Sequence, residues 1–450
     1  MECLIIGGDA AGMSAAVQIR RRRPDWTVSV LERGAFTSYA ACGIPYLIAG
    51  DVPALDDLIV MSPETLRKQR GVDVRTGWEA TAIDTERRRL TARTPDGETM
   101  LAWDRLLIAT GAEPILPPWP GMALDGVTSL RTLVDAERVL RQLGNAPRRV
   151  AIIGAGYVGL EMAEAFARRG LDVTVIEKQS GVMGGGEPAL TDRVQREFEA
   201  HGVALRLETT VEGFEGDAGH VRAVATDGGA IEADLALVAL GVRPRARLAR
   251  EAGIALGESG AIRVDERQHT NAEGVFAAGD CAEAWHRVLE QPVYVPLALG
   301  ANRQGRVAGA NMADGDERFP GIIGSAVTRV FDLAIGRCGI DAREAERAGI
   351  AVRSAEAEAG SRAHYMPDVG SVWVKILFRA DDHRVVGATL AGHDPCLGKR
   401  SDIIGTAISA GMSVEQLADL DLSYAPPFAP VWDPILQVAN KARFALAKES

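Results

Sequence analysis

The strongest constraint on how this chain can fold is a turn it makes twice. Near residue 7 and again near residue 154, a short apolar run breaks at glycine straight into a helix-forming stretch. The first copy runs from Cys3 through Ile6 to Gly7-Gly8-Asp9-Ala10-Ala11-Gly12, with the helical stretch Met13–Arg22 behind it. A strand turning directly into a helix leaves the first amides of the helix unpaired at its positive end, where a pyrophosphate is held well. Gly7 permits the turn and Gly12 lets the helix pack close to the strand, but Asp9 stands where the middle glycine of GxGxxG is usual. The next apolar run, from Trp26, ends in Glu32, an acid placed to accept hydrogen bonds from both ribose hydroxyls. The second copy keeps all three glycines, Gly154, Gly156 and Gly159. A helix to about Arg169 follows, then the strand 172–176 ending in Glu177. That acid repels a 2′-phosphate and favours NADH over NADPH, with Lys178 beside it softening the preference.

Two such units in 450 residues imply two dinucleotides and more than one domain. A formal net charge of −11 argues against sequence-independent binding of nucleic acid, which needs excess Lys and Arg. No basic leader precedes the first strand, and no apolar stretch is long enough to span a bilayer. Cys3, Cys42, Cys281, Cys338 and Cys396 lie far apart without a CxxC, so neither a disulfide-stapled secreted domain nor a zinc site is expected. His286, His364 and His393 show no ligand spacing either, so no metal is expected. A reducing cytoplasm is the simplest home.

Thr270–Asp280, a short apolar strand ending in Gly279-Asp280, together with Ala109-Thr110-Gly111 and Ala239-Leu240-Gly241, resembles the two-dinucleotide flavoproteins. The resemblance implies FAD on the N-terminal turn, with Asp280 on its ribityl and pyrophosphate portion, and NAD on the inner turn. It further implies FAD contacts from Gly7, Gly8, Ala11, Gly12, Glu32, Arg33, Ser38, Ala80, Thr110, Gly111, Gly279, Pro296, Leu297 and Ala298. For NAD it implies Gly154, Gly156, Tyr157, Gly159, Glu161, Glu177 and Gly241. Glu161 reads either as a nicotinamide contact or as a residue facing its groove, and Tyr157 either as a gate of the nicotinamide pocket or as core.

Ser38-Tyr39-Ala40-Ala41-Cys42 narrows the resemblance. It is similar to the single-cysteine branch of the pyridine nucleotide–disulfide oxidoreductases, which holds coenzyme A disulfide reductases, persulfide or polysulfide reductases, NADH oxidases and NADH peroxidases. No second cysteine lies a few residues away, so an internal redox disulfide is excluded. Cys42 is the expected redox thiol, its anion favoured by the helix expected from Gly43 to about Ile48. A free cysteine taken alone is more often a buried packing residue, the reading given to the other four. Peroxidases of the branch place a histidine in the first turn where this chain has Ala10.

The segments around Arg362-Ala-His-Tyr365-Met-Pro367 and Leu422-Ser-Tyr424 resemble the dimerisation domain of coenzyme A disulfide reductases, departing from it at Arg362 and Met366. By that resemblance Tyr365 and Tyr424 of a partner subunit reach the cysteine site of a homodimer and assist a departing thiolate. Coenzyme A phosphates call for cations, and Arg20, Arg23, Asn302, Arg306, Lys399 and Arg400, with Ser38, are the candidates. Arg20 and Arg23 also read as a solvated helix end, where cations offset the macrodipole.

The expected fold is α/β: two Rossmann-like dinucleotide-binding domains, for FAD and NAD, plus a C-terminal α+β dimerisation domain. The expected limits are 1–115 and 245–325 for FAD, 116–244 for NAD, and 326–450 for the interface domain; no rhodanese-like extension is expected after Ser450. The expected activity is NAD(P)H-driven reduction of coenzyme A disulfide or a coenzyme A-linked persulfide or polysulfide through Cys42. The alternatives are an NADH oxidase cycling through a Cys42 sulfenic acid and a redox sensor that holds FAD and NAD with little turnover.

Overall fold

The computed structural model describes residues 1–448. Glu2–Ile6 lies at the centre of a parallel sheet ordered Val275–Ala277, Arg105–Ile108, Glu2–Ile6, Thr27–Glu32, Asp73–Thr76. Cys3 through Ile6 are buried, as expected of a central parallel strand covered on both faces. A second parallel sheet repeats the plan in the order Ala204–Arg206, Asp172–Ile176, Arg149–Ile153, Leu235–Val238, Val127–Ser129. Each sheet has a three-stranded antiparallel companion, Glu79–Asp84 with Arg89–Thr94 and Gly97–Ala102 in the first, Val211–Asp217 with His220–Thr226 and Gly229–Glu232 in the second. The two crossovers between the units pair with each other, Ala112–Pro114 antiparallel to Val242–Pro244.

The C-terminal part is a five-stranded antiparallel sheet ordered Ala326–Val330, Leu333–Gly339, Val385–Gly392, Ser371–Arg379, Val352–Gly360. Its core is closed by helices Leu397–Ala410 and Pro434–Ala447. Ser371–Arg379 reads as an alternating strand, yet Val372, Trp373, Val374, Ile376, Leu377 and Phe378 are all buried, because both faces of this sheet are covered.

Two helices set the wall of the largest cleft. Ala10–Arg22 and Ala298–Met312 touch backbone to backbone: a Cβ on Gly305 would stand 2.2 Å from the Ala11 carbonyl oxygen, and one on Gly309 2.5 Å from that of Ala15. The contact aligns Ser14 with Asn302, whose Oδ1 accepts its hydroxyl at 2.8 Å. No helix among the described residues is long and apolar enough to cross a membrane.

Candidate active site

Both glycine turns are built alike. The Gly7 amide donates to the Leu31 carbonyl at 2.8 Å and the Gly8 amide to Glu32 Oε2 at 2.9 Å; Gly154 and Ala155 repeat this with the Ile176 carbonyl and Glu177 Oε2, each at 2.8 Å. A Cβ on Gly12 would lie 1.9 Å from the Gly7 oxygen, and one on Gly159 2.0 Å from the Gly154 oxygen. Gly7 and Gly154 have φ of +107° and +106°, in the region that favours glycine.

From the first turn a trough opens in two connected parts. A cavity of about 540 Å³ is lined by Gly7, Gly8, Glu32, Arg33, Thr110, Gly111, Arg131 and Arg245. A second of about 880 Å³ contains Cys42, Ser38, Ala11, Gly279, Asp280, Pro296, Leu297 and Ala298. Asp9, Tyr39, Ala109, Gly111 and Arg131 line both, at the neck between them. Ala80 lies in an adjoining groove on the far side of Glu32. This shape and donor set fit an FAD molecule. Glycine turns leave room for backbone approach, Glu32 is placed for a ribose, and Arg245, whose buried Nε makes no hydrogen bond and meets Glu113 only at 3.6 Å, lines the smaller cavity.

Cys42 sits in the 3-10 turn Ala41–Gly43, ahead of the helix Ile44–Ala49. Ser38 holds the loop in place at φ +50°, its amide on the Gly8 oxygen and its oxygen on the Val60 amide, both at 2.8 Å. The expected easily formed anion is corrected by the surroundings of the sulfur. The thiol is pushed above its ordinary range, first by burial and then by Glu161, Asp280 and Asp9, with Arg131 opposing. The helix behind it has only six residues, too short a dipole to outweigh three carboxylates. Glu161 itself is raised by burial, its Oε1 accepting the Thr328 hydroxyl at 2.8 Å.

The phosphate candidates divide. Asn302 and Arg306 line the cavity that contains Cys42, Arg306 also pairing with Glu317 at 3.2 Å. Arg20 is spent on the chain's own turn, its Nη1 donating to the carbonyls of Pro24 at 2.6 Å and Trp26 at 2.5 Å. Arg23 lies over the Trp26 ring and pairs with Asp314 at 3.3 Å. Lys399, 86% exposed, pairs with Asp402 outside the cavity. Arg400 is the clearest correction: it is 5% exposed and gripped by Asp394, Asp433 and the Ser361 carbonyl. A guanidinium buried between two carboxylates and a carbonyl, off the wall of the cysteine cavity, is out of reach of a phosphate. Tyr365 and Tyr424 are 64% and 48% exposed, Tyr365 acting on the Tyr424 hydroxyl and raising its pKa, and do not line this chain's cysteine cavity. Tyr157 is half-buried and Gly241 has φ +86° beside the second turn.

Sequence reasoning missed Ser14, Gln18 and Arg303 on the cavity wall, and above all Arg131. Arg131 reaches from the inner unit to Asp280 at 2.6 Å. Its only local signal is the cap Thr132 beside it, which opens the helix Leu133–Gly144. Glu197, His201 and Asp332 also come together, but Glu197 is already engaged by the Asp332 amide at 2.9 Å and His393 at 2.8 Å.

Two dinucleotide turns on duplicate sheets, with one cysteine at the open end of the first, define a class, and comparison places the chain in it. The chain belongs to the pyridine nucleotide-disulphide oxidoreductases, whose family description matches residues 1–305, followed by that family's dimerisation domain over residues 325–434. It is 38% identical to the NAD(P)H coenzyme A polysulfide/persulfide reductase of Pyrococcus horikoshii, covering 98% of each chain. It is 35% identical to an NADH oxidase of Methanocaldococcus jannaschii, again over 98% of each. Among solved structures, the NAD-dependent persulfide reductase from A. fulgidus matches with a TM-score of 0.97 at 35% identity, over 100% of this chain and 84% of that one.

Proposed function

We propose that this chain is an FAD-dependent NAD(P)H reductase of coenzyme A disulfide or coenzyme A-linked persulfide, working through Cys42. The observation that carries the reading is the lone thiol at the mouth of a trough whose outer wall, from the paired helices, is polar and cationic: Ser14, Gln18, Asn302, Arg303 and Arg306. FAD held in this trough would supply a two-electron relay between the nicotinamide and sulfur. Cys42 holds the sulfur of the substrate as a mixed disulfide, and Arg303 and Arg306 hold its phosphates. Each turnover consumes one NADH and one proton and releases two thiols per disulfide.

The Tyr365–Tyr424 pair belongs in this reading to the neighbouring subunit's cysteine. It is exposed together with Phe428, Val431 and Trp432, an apolar patch suited to a subunit interface. A homodimer would set those hydroxyls against the departing thiolate as proton donors. Glu177 supports NADH as the preferred donor, since an acid after the second turn repels a 2′-phosphate.

The reading is tested by steady-state NADH consumption with coenzyme A disulfide, a coenzyme A persulfide, polysulfide or oxygen as sole acceptor. The expected result is a kcat/KM for a coenzyme A-linked acceptor at least a hundred-fold above that for oxygen, roughly 2.7 kcal/mol of discrimination. Rapid oxygen consumption with water as product and no gain from any disulfide would support the oxidase reading instead. A long-lived reduced flavin with every acceptor would support the sensor.

A further inference from the structure

The carboxylate in the middle of the first glycine turn bears on Cys42 only through its charge, which helps to raise the thiol. Asp9 replaces the glycine that normally lets the backbone approach a pyrophosphate, and it stands at the N-cap of the thirteen-residue helix Ala10–Arg22 without a side-chain capping hydrogen bond. It lines the 540 Å³ cavity and the 880 Å³ cavity alike. A dinucleotide with one ribose at Glu32 and its reactive ring at Cys42 must carry its two phosphates through that neck. An ionised Asp9 there would face two further negative charges.

The cations at hand do not remove the conflict. Arg131, from the segment after strand Val127–Ser129, acts on Asp9, but its Nη2 is already held by Asp280 at 2.6 Å. Glu32, at the end of strand Thr27–Glu32, adds to the negative field on Asp9. The cysteine loop offers the Tyr39 amide and sets Cys42 across the cavity, but no cation. Arg33 and Arg245 line the 540 Å³ cavity, on the side of Glu32.

We propose that Asp9 takes up one proton when FAD binds and then donates a hydrogen bond to a phosphate oxygen, so that cofactor retention is linked to pH. The inference rests on the FAD reading above. Burial has already lifted Asp9 to about 6 without the cofactor. Below that value Asp9 is neutral in both states and affinity is flat. Above it the free protein must gain a proton on binding, so affinity falls as pH rises. The proton comes from solvent and returns there on release.

Holoenzyme diluted into buffers from pH 5.5 to 8.5 reports the fraction of FAD retained, because free FAD fluoresces. For the native chain the dissociation constant is expected to rise about tenfold per pH unit above pH 6. Asp9→Asn, which keeps a donor without a charge, should show no slope and bind more tightly at pH 8. Asp9→Gly, which restores the usual glycine, should also lose the slope and serves if the asparagine variant folds poorly. Equal slopes in native chain and variants, or no slope in the native chain, would overturn the proposal. A native chain that holds no FAD at any pH would instead defeat the FAD reading itself.

Discussion

Replacing Cys42 with serine is expected to stop NADH-driven reduction of disulfide and persulfide while NADH still reduces the flavin. The two halves of the result separate because the two half-reactions use different parts of the molecule. On the proposed function, hydride delivery depends on the inner turn, with Gly154, Gly159 and Glu177, none of which lines the cysteine cavity. The sulfur half-reaction needs an atom that can form and release a bond to a second sulfur, and a serine oxygen cannot. No neighbour can replace it: among the described residues Cys42 is the one cysteine on the cavity wall, and Cys3, Cys281 and Cys338 are buried elsewhere. Removal of a nucleophile that acts directly on substrate should lower kcat by about a thousand-fold or more. Stopped-flow flavin absorbance reads the first half-reaction and thiol release the second. Disulfide turnover within tenfold of native would show that sulfur reaches the flavin without Cys42.

The second large effect concerns stability. Arg400→Ala is expected to destabilise the C-terminal domain by about 3–5 kcal/mol, since it leaves the buried carboxylates of Asp394 and Asp433 without their cation. The Ser361 carbonyl loses its donor as well. Because Ser361 starts the segment that carries Tyr365, and Asp433 caps the helix Pro434–Ala447, the damage should spread to the exposed tyrosine patch. Thermal unfolding and subunit association should both change. Arg306→Ala, on a solvent-facing side chain, should leave the unfolding temperature nearly unaltered and raise the KM for a coenzyme A-linked substrate. An Arg400→Ala protein with native stability and a raised KM would return Arg400 to the phosphate-binding set.

Cys42 and Arg400 also mark the reach of the sequence. Glu32 and Glu177 are legible because each belongs to the strand that directly follows its own glycine turn, so local order fixes the geometry. The same holds for the helix Ala10–Arg22 and the loop that carries Cys42. Arg400 misleads because the resemblance of its segment to that of the reductases marks it as a cation and says nothing of its burial. Its burial is decided by Asp394 on one side and Asp433 far along the chain on the other. Arg20 misleads likewise, since the carbonyls of Pro24 and Trp26 that hold it exist only once the chain has turned. Arg131 is invisible for a related reason: its partner Asp280 lies 149 residues away and the two meet only when the inner unit packs on the first. The thiol of Cys42 shows the limit in electrostatics. A helix start favours the anion, but burial first, and then the charges of Glu161, Asp280 and Asp9 from distant parts of the chain, push the thiol up.

The most direct test of the central claim is intact-protein mass spectrometry of the purified chain under non-denaturing conditions, before and after NADH, with and without added coenzyme A disulfide. The expected result is an adduct with the mass of coenzyme A, located on Cys42 by peptide mapping, formed with the disulfide and lost on reduction by NADH. A Cys42 that stays bare or carries only oxygen under every condition would contradict the claim and favour an oxidase.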